Sequence, residues 1–285
     1  MDSQKKYPKA YSVEFFPPKS EESAAKLRDT YTRLAPLKPC FASVTFGAGG
    51  STQDRTFETV REIKQETGID VAPHVSCIGS TQDNIRRILN NYKEQGIRHI
   101  VALRGDMPSG TREVGEFRYA NELVAFIRSE TGDHFFIEVA AYPEFHPQAP
   151  NAQADILNFK HKVESGADGA MTQYFYNPDA YFRFVDNCEK LGLDLPIVPG
   201  IMPITNFTQL ARFSDACGAE IPRWIRKRLE SYGDDIKSLR AFGLDVTINL
   251  CSELLAGGAS GLHFYTMNQS GPTLAIWQAL GLKSD

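Results

Sequence analysis

The chain alternates between short apolar runs and longer stretches with helical periodicity. Eight apolar runs, rich in β-branched and aromatic residues, occupy residues 11–16, 41–46, 71–76, 99–103, 135–141, 169–175, 197–201 and 262–266. Amphipathic stretches follow them at residues 20–34, 52–67, 80–95, 118–130, 152–165, 177–191 and 272–280. This alternation predicts parallel β-strands joined by helical crossovers.

Eight strand–helix repeats in 285 residues fit an α/β protein of the (β/α)8 (TIM) barrel class better than an open sheet. One interval is longer than the others. Residues 203–261 separate the seventh and eighth strands, with helical patterns at 207–215, 222–231 and 234–256. No composition change or linker marks a domain boundary there. We therefore predict a single domain over residues 1–285, with a helical insertion between strands 7 and 8.

Polar residues lie in or directly after several predicted strands. The fourth strand ends in Arg104, Gly105 and Asp106, which places a cation, a residue without a side chain and an anion next to one another. Locally these residues could equally form a polar turn with a surface ion pair. Because ligands bind at the carboxyl ends of parallel strands, the recurrence of such ends favours a binding site. The other members are Glu14, Thr45, His74, Tyr142, His146, Gln173, Tyr174, Tyr265, Asn268 and Gln269.

Glu14 interrupts the apolar first strand between Val13 and Phe15. Strand alternation places its side chain on the face opposite these two neighbours. A carboxyl group inside a barrel needs a partner, and desolvation favours its protonated form, which suits a general acid. The alternative is a structural ion pair in the barrel core with an Arg or a Lys.

Other motifs give weaker indications of function. Residues 47–51 form a glycine-rich loop without a Rossmann fingerprint or a P-loop lysine, so a tight turn is the simpler interpretation. The six histidines lack paired metal-ligand spacing, which argues against a metal site. Residues 174–176 could stack on a planar ring, although such aromatic residues more often belong to the core. The basic run at residues 223–228 is most simply a solvated helix face.

Composition narrows the possible partners and the compartment. A net charge of −4 gives no indication of nucleic-acid binding, and no apolar run is long enough to span a membrane. The N-terminal lysines are not followed by the apolar core of a signal peptide. The five cysteines (Cys40, Cys77, Cys188, Cys217 and Cys251) are widely spaced, which argues against a disulfide framework. We therefore predict a cytoplasmic protein without nucleic-acid or membrane partners.

Six short motifs occur in order along the chain, most of them at predicted strand ends. They are VEFFPP at residues 13–18, SVTFGAGG at 43–50, LRGD at 103–106, AYPEFH at 141–146, TQ at 172–173 and HFYT at 263–266. Each motif is weak by itself. Taken together, from about residue 11 to residue 282, the chain resembles the 5,10-methylenetetrahydrofolate reductase family. The resemblance implies a (β/α)8 barrel that binds FAD.

The resemblance also implies a ping-pong oxidoreductase. NAD(P)H reduces FAD and leaves, and methylenetetrahydrofolate then takes the hydride to give 5-methyltetrahydrofolate, a methyl donor for methionine synthesis. Glu14 matches the family's general acid, which protonates N10 of the folate and opens its five-membered ring to an iminium cation. Asp106 matches a carboxylate near flavin and folate, whose negative charge would favour that cation.

The same matching implies two sets of binding residues. The FAD set is Thr45, His74, Arg104, Gly105, Asp106, Tyr119, Ala120, Tyr142, His146, Asp155, Asn158, His161 and Lys162. The substrate set is Glu14, Asp106, Gln173, Gln209, Phe213 and Gln269. Within the FAD set, residues 155, 158, 161 and 162 are spaced to share one helix face. That face could hold the adenosine and the pyrophosphate without a Rossmann loop.

The chain departs from the family pattern at two positions. His161 and Gln269 stand where family members often have Arg. The charge at position 161 then depends on pH, and the glutamate tail of folate lacks a cation at position 269. The chain also stops soon after the barrel, without the S-adenosylmethionine-binding domain of eukaryotic members. We therefore expect the bacterial type, a homo-oligomer that prefers NADH.

Two alternative functions are compatible with a polar barrel. One is a different flavin barrel, such as a proline dehydrogenase-like enzyme. The other is a barrel that has lost its flavin and serves as a folate-binding or scaffold protein. The presence of Glu14, Asp106 and Gln173 argues against the second alternative.

Overall fold

The computed structural model describes residues 1–46, 50–105 and 115–283, with the side chains of residues 50–52 left out. Within these ranges nine parallel strands form one sheet. They are β1 (Ala10–Phe15), β2 (Ala42–Val44), β3 (Val71–Ser76), β4 (His99–Leu103), β5 (Phe136–Ala141), β6 (Gly169–Thr172), β7 (Ile197–Val198), β8 (Gly200–Ile201) and β9 (Gly261–Tyr265).

The order of the strands identifies the fold class. It is β7-β6-β5-β4-β3-β2-β1-β9-β8. The strands at the two ends of this order, β7 and β8, are consecutive in sequence and separated by Pro199 alone. This is the strand order of a (β/α)8 barrel, so the predicted fold class is confirmed.

Helices follow the strands throughout the described ranges. They are α1 (Asp2–Lys5), α2 (Glu21–Leu34), α3 (Gly50–Thr67), α4 (Gln82–Glu94), α5 (Ala120–Thr131), α6 (Ala152–Glu164), α7 (Pro178–Lys190), α8 (Phe207–Cys217), α9 (Arg223–Ser231), α10 (Ile236–Ala256) and α11 (Ser270–Ala279). The predicted helical insertion is present as α8, α9 and α10. The short α1 and a 3-10 turn at Ala35–Leu37 have no counterpart among the predicted elements.

The described chain divides into two compact units. The first unit comprises Met1–Tyr11, Ala141–Lys160 and Met171–Asp285, and the second comprises Ser12–Ala140 and His161–Ala170. Each unit has a buried aromatic contact: Tyr11 meets Trp277 edge-on in the first unit, and Phe15 meets Tyr31 edge-on in the second. The single domain expected from the sequence stays a prediction.

Capping residues set helix starts where the sequence predicts them. Ser20 precedes α2, and its side chain accepts a hydrogen bond from the Ser23 amide while Ser23 Oγ accepts one from the Ser20 amide. Asn177 caps α7 through a hydrogen bond from the Asp179 amide, with Pro178 at the first helical position. Serine and asparagine are favoured N-cap residues and proline is favoured at the first helical position, so the residue types at these two helix starts fit their roles.

Three strand predictions differ from the structure by more than one residue, and the second, residues 41–46, is confined to Ala42–Val44. The sixth predicted strand, residues 169–175, ends at Thr172. The backbone amide of Tyr174 donates to Gln173 Oε1, so it is not available for a hydrogen bond to a neighbouring strand. The seventh, residues 197–201, is divided at Pro199, which has no amide to donate. Gln173 and Tyr174 therefore follow a strand instead of lying within it.

Two findings bear on the predicted environment. Among the helices of the described residues, none is both long and apolar enough to cross a membrane. Of the five cysteines, Cys40 is exposed, Cys217 is half-buried, and Cys77, Cys188 and Cys251 are buried.

Candidate active site

Glu14 lies on β1 in the second unit, and its side chain is 17% exposed. Ser43 Oγ, on β2, donates a hydrogen bond of 3.3 Å to Glu14 Oε2. On β3, His74 Nε2 lies 3.3 Å from the same oxygen, and the His74 side chain is 10% exposed. We call these three residues the Glu14 cluster.

The register of the strands brings the cluster together. Glu14 pairs with Ser43 across β1 and β2, and Ser43 pairs with Ala72 across β2 and β3. The neighbours of Glu14 on its own strand, Val13 and Phe15, are almost completely buried. Strand alternation therefore directs the carboxyl group toward polar partners while its neighbours enter the apolar core.

The partners of Glu14 suit proton transfer. The sequence left open a core ion pair with an Arg or a Lys, whereas the identified partners are a serine and a histidine. His74 Nε2 is buried, and it makes no hydrogen bond with any residue in the described part of the chain. A carboxyl group held by a serine beside an imidazole, and sheltered from water, can release and regain a proton without moving.

The turn after β4 requires a glycine. The Arg104 carbonyl accepts hydrogen bonds from Ser76 Oγ at 2.9 Å and from the Ile78 amide at 2.8 Å. Gly105 follows with φ of 84°, and a Cβ there would lie 2.0 Å from Ser76 Oγ. A side chain at position 105 is therefore excluded. Asp106 lies outside the described residues, as does most of the glycine-rich loop at residues 47–51.

In the first unit, the loop after β5 is fixed by its own contacts. The rings of Tyr142 and His146 meet edge-on with centroids 4.7 Å apart. The Phe145 amide donates to the Tyr142 carbonyl, and Phe145 takes a left-handed conformation with φ of 67°. The His146 amide donates to Asp155 Oδ2 at 3.0 Å. Asp155, near the start of α6, therefore anchors a loop that carries two predicted FAD residues.

The predicted face of α6 is only partly exposed. In the first unit Asp155 is buried, whereas Asn158 is exposed. In the second unit His161 is exposed, and Lys162 Nζ donates to the Ala140 carbonyl at the end of β5. The side chains of Asp155 and Lys162 thus form hydrogen bonds with backbone groups of the protein. Those of Asn158 and His161 are exposed to solvent.

Gln173 follows β6 in the first unit, within a network of backbone and hydroxyl contacts. Thr172 Oγ1 accepts the Gly200 amide at 2.9 Å, and the Thr172 carbonyl accepts the Tyr265 hydroxyl at 2.7 Å. Tyr174 and Ser214 share a hydrogen bond of 3.0 Å between their hydroxyl groups. These contacts fix the backbone on both sides of Gln173.

The two predicted substrate residues on α8 lie in its first two turns. The side chain of Gln209 is exposed, and the backbone amide of Gln209 donates to the capping Asn206 Oδ1 at 2.8 Å. Phe213 is half-buried, with the Arg212 guanidinium 5.6 Å from its ring centroid. Both side chains are thus accessible at the surface of the first unit.

The remaining predicted residues are placed as follows. Thr45 directly follows β2, and its amide donates to the Phe15 carbonyl. Tyr119 is 59% exposed and precedes α5, whose first residue is Ala120. Gln269 precedes α11 and makes no side-chain capping bond with it.

Sequence reasoning missed two residues. Ser43 lies within the SVTFGAGG motif but is not among the predicted site residues, although strand pairing with Glu14 is the signal that could have found it. Glu144 likewise lies within the AYPEFH motif, and its carboxylate accepts the backbone amide of Glu220 at 2.8 Å. Nothing in the sequence pairs residues 144 and 220, since 76 positions separate them.

The described residues offer suitable contacts for a flavin. The buried Nε2 of His74, which has no hydrogen bond among the described residues, lies in the second unit. The exposed polar side chains of Asn158 and His161 suit phosphate groups. No cluster of three or more potential metal ligands is found in the described ranges.

Comparison with known proteins identifies the family. The family model described as methylenetetrahydrofolate reductase matches residues 1–281. The chain is 42% identical over 272 residues to the 5,10-methylenetetrahydrofolate reductase of Escherichia coli (strain K12), which covers 95% of this chain and 90% of that protein. It is 37% identical over 286 residues to methylenetetrahydrofolate reductase (NADH) 1 of Arabidopsis thaliana, which covers 96% of this chain and 48% of that protein.

Fold, site and relatives together define an oxidoreductase on a (β/α)8 barrel. Within that class, the chain belongs to the methylenetetrahydrofolate reductase family. The resemblance seen in the six sequence motifs is therefore confirmed.

A solved structure agrees with the fold. An uncharacterized protein from Clostridium thermocellum, described as binding two copies of 5-methyl-5,6,7,8-tetrahydrofolic acid, aligns with a TM-score of 0.68. The alignment covers 96% of this chain and 94% of that protein at 17% identity. At this identity the likeness establishes the fold alone.

Proposed function

We propose that this chain reduces 5,10-methylenetetrahydrofolate to 5-methyltetrahydrofolate with FAD as cofactor, NADH as the preferred reductant and Glu14 as general acid. Membership of the reductase family supports the overall reaction. The observation that carries the role of Glu14 is the sheltered carboxyl group between Ser43 and His74.

The reaction needs a proton donor at a defined position. Methylenetetrahydrofolate holds its one-carbon unit between N5 and N10, and breaking the bond to N10 requires a proton on that nitrogen. Glu14 is the proposed donor. The hydrogen bond from Ser43 and the contact with His74 keep its carboxyl group oriented for this transfer.

We assign FAD to the predicted FAD residues. When bound, FAD carries a hydride from the nicotinamide to the folate in a ping-pong sequence. The backbone at Arg104 and Gly105, the side chain of His74 and the Tyr142–His146 loop would contact the flavin end. Asn158, His161 and Lys162 would contact the phosphates. Asp106, outside the described residues, keeps its proposed electrostatic role through the resemblance alone.

The folate residues are proposed on the same basis. Gln173 would contact the pterin, and Gln209 and Phe213 would contact the rest of the folate. Gln269 stands where an arginine would bind the glutamate tail. The Arabidopsis relative is a methylenetetrahydrofolate reductase (NADH), which supports the proposed preference for NADH. We further propose that this protein forms a homo-oligomer.

The first test is the visible spectrum of the purified protein during anaerobic titration. We expect a flavin spectrum that NADH bleaches and methylenetetrahydrofolate restores. Bleaching without recovery would leave a flavin barrel of another specificity. A protein that stays colourless after incubation with FAD would contradict the proposed cofactor and favour a folate-binding role.

Replacing Glu14 by Gln tests the general acid. Gln keeps the size of the side chain but cannot donate the required proton. We expect Glu14→Gln to reduce flavin with NADH at close to the wild-type rate and to slow folate reduction by about 10²–10⁴-fold. Stopped-flow absorbance measures the two half-reactions separately.

A surface substitution provides the control for Glu14→Gln. Glu22→Gln makes the same chemical change in the exposed first turn of α2 and should leave both half-reactions unchanged. Wild-type folate reduction by Glu14→Gln would show that another group supplies the proton.

A further inference from the structure

Glu144 ties two separate segments of the first unit together. It lies in the loop between β5 and α6, and its Oε2 accepts the backbone amide of Glu220 at 2.8 Å. Glu220 lies in the short connection between α8 and α9. A charge-assisted hydrogen bond of this length is among the stronger polar contacts in proteins.

The two segments carry different parts of the proposed site. The Glu144 loop also carries Tyr142 and His146, which are assigned to the flavin. The Glu220 segment directly follows α8, which carries the folate residues Gln209 and Phe213. The hydrogen bond therefore links a flavin-side loop to the helix on the folate side.

The flavin-side loop has other anchors. Its His146 amide donates to Asp155, its Phe145 amide donates to the Tyr142 carbonyl, and the rings of Tyr142 and His146 pack edge-on. These contacts do not involve Glu144. Loss of the Glu144 side chain would therefore leave most of the loop in place.

Within the part of the chain that the structure describes, the end of α8 has fewer contacts of this kind. Gly218 closes the helix, and a Cβ on it would lie 3.3 Å from Pro147 Cδ of the loop. Ser214 shares one hydrogen bond with Tyr174. The Glu144 carboxylate is thus a main polar link between the end of α8 and the loop.

From this asymmetry we propose that Glu144 is a positioning residue for the folate side of the site, which fixes the orientation of α8 through the Glu220 amide. The inference rests on the proposed function, because it takes Gln209 and Phe213 as folate contacts. It adds a residue that touches neither substrate nor cofactor.

The electrostatic surroundings of Glu144 are compatible with this role. Burial raises the pKa of the Glu144 carboxyl group, and the neighbouring carboxylate of Glu220 raises it further. The hydrogen bond from the Glu220 amide and the charge of Arg183 act in the opposite direction. The Glu144 side chain also borders a groove of about 550 Å³ between α6 and α7, which Arg183 and Glu220 line as well.

Hydrogen exchange of the Glu220 amide tests the link without any ligand. We expect Glu144→Ala to accelerate this exchange at least tenfold, since its acceptor is lost, whereas Glu144→Gln retains a carbonyl acceptor and most of the protection. Glu220→Gln is the matched control because it changes a side chain but keeps the donating amide. Equal exchange in wild type and Glu144→Ala would overturn the proposal.

Steady-state kinetics of the FAD-bound enzyme test the consequence for folate. For Glu144→Ala we expect a roughly three- to tenfold higher KM for methylenetetrahydrofolate, with kcat within about twofold and FAD affinity unchanged. Glu144→Gln should restore the wild-type KM. A purely structural role would instead lower kcat, FAD affinity and thermal stability together in Glu144→Ala, and that result would overturn the positioning role.

The two measurements separate this inference from the proposed function. If the wild type reduced no folate, the proposed function would fail while the exchange result could still stand. If the wild type were active and Glu144→Ala kept the wild-type KM, the positioning role would fail while the proposed function remained.

Discussion

Glu144 shows how one half-buried side chain makes stability depend on pH. Its pKa is raised above the ordinary carboxyl value of 4.5, chiefly by burial. The folded state therefore binds a proton more tightly than the unfolded state does. Its contribution to stability is fully present below pH 4.5 and is lost as pH rises through the raised pKa of the folded state.

This titration predicts a pH-dependent difference between wild type and Glu144→Gln. The amide does not ionise, so the stability of Glu144→Gln relative to wild type should increase from about pH 4 upward and level off once the carboxyl group is ionised in both states. Urea unfolding at a series of pH values measures the difference. A difference that stayed constant across this range would contradict the raised pKa. Arg183→Gln, which removes the facing cation, should make the increase larger.

At the scale of the helix, the start of α2 depends on a reciprocal pair of serine hydrogen bonds. Ser20 Oγ accepts the Ser23 amide at 3.2 Å, and Ser23 Oγ accepts the Ser20 amide at 2.8 Å. These bonds satisfy backbone donors that the first turn of a helix leaves without partners. Because Ser20 is exposed, its substitution should change helix stability without changing the core.

Ser20→Ala should therefore lower the free energy of unfolding by about 1 kcal/mol. Thermal denaturation followed by circular dichroism measures the loss. Ser129→Ala is a suitable control because Ser129 lies near the end of α5 and its hydroxyl donates to the Phe126 carbonyl in the preceding turn, so it does not cap a helix start. If Ser20→Ala and Ser129→Ala had the same stability, the capping box would contribute nothing measurable.

At the scale of the whole molecule, β9 begins at a position where only glycine fits. Gly261 has φ of 150°, and a Cβ there would lie 1.8 Å from the carbonyl oxygen of Ala10 on β1. In the order of the sheet, β9 stands between β1 and β8. A side chain at position 261 would therefore disturb the pairing of β9 with β1.

Gly261→Ala should destabilise the protein by roughly 2 kcal/mol or more, since the added methyl group meets backbone and the conformation is strained. Chemical denaturation measures this loss. Gly271→Ala is the matched control: no atom lies within 4 Å of a Cβ at Gly271, in α11, so the change should be neutral or stabilising. A fully stable Gly261→Ala variant would show that β1 and β9 can move apart freely.

Much of the architecture followed from local patterns. Strands β3 and β4 have the predicted bounds, and Ser20 and Asn177 cap the predicted helices, because alternation and capping depend on neighbours in sequence. The errors at the sixth and seventh strands have local causes, in a side chain that binds the next amide and in a proline. The family was recognisable because its motifs are short and contiguous.

The sequence by itself determined the barrel class, the family and the alternation that separates Glu14 from its buried neighbours Val13 and Phe15. These depend on periodicity and on short motifs that can be read along the chain. The tertiary structure decided that Ser43 and His74 meet Glu14, that Asp155 holds the His146 amide and that Glu144 binds the Glu220 amide. Such contacts join residues on different elements, and their distances depend on strand register and helix packing, which no local pattern specifies.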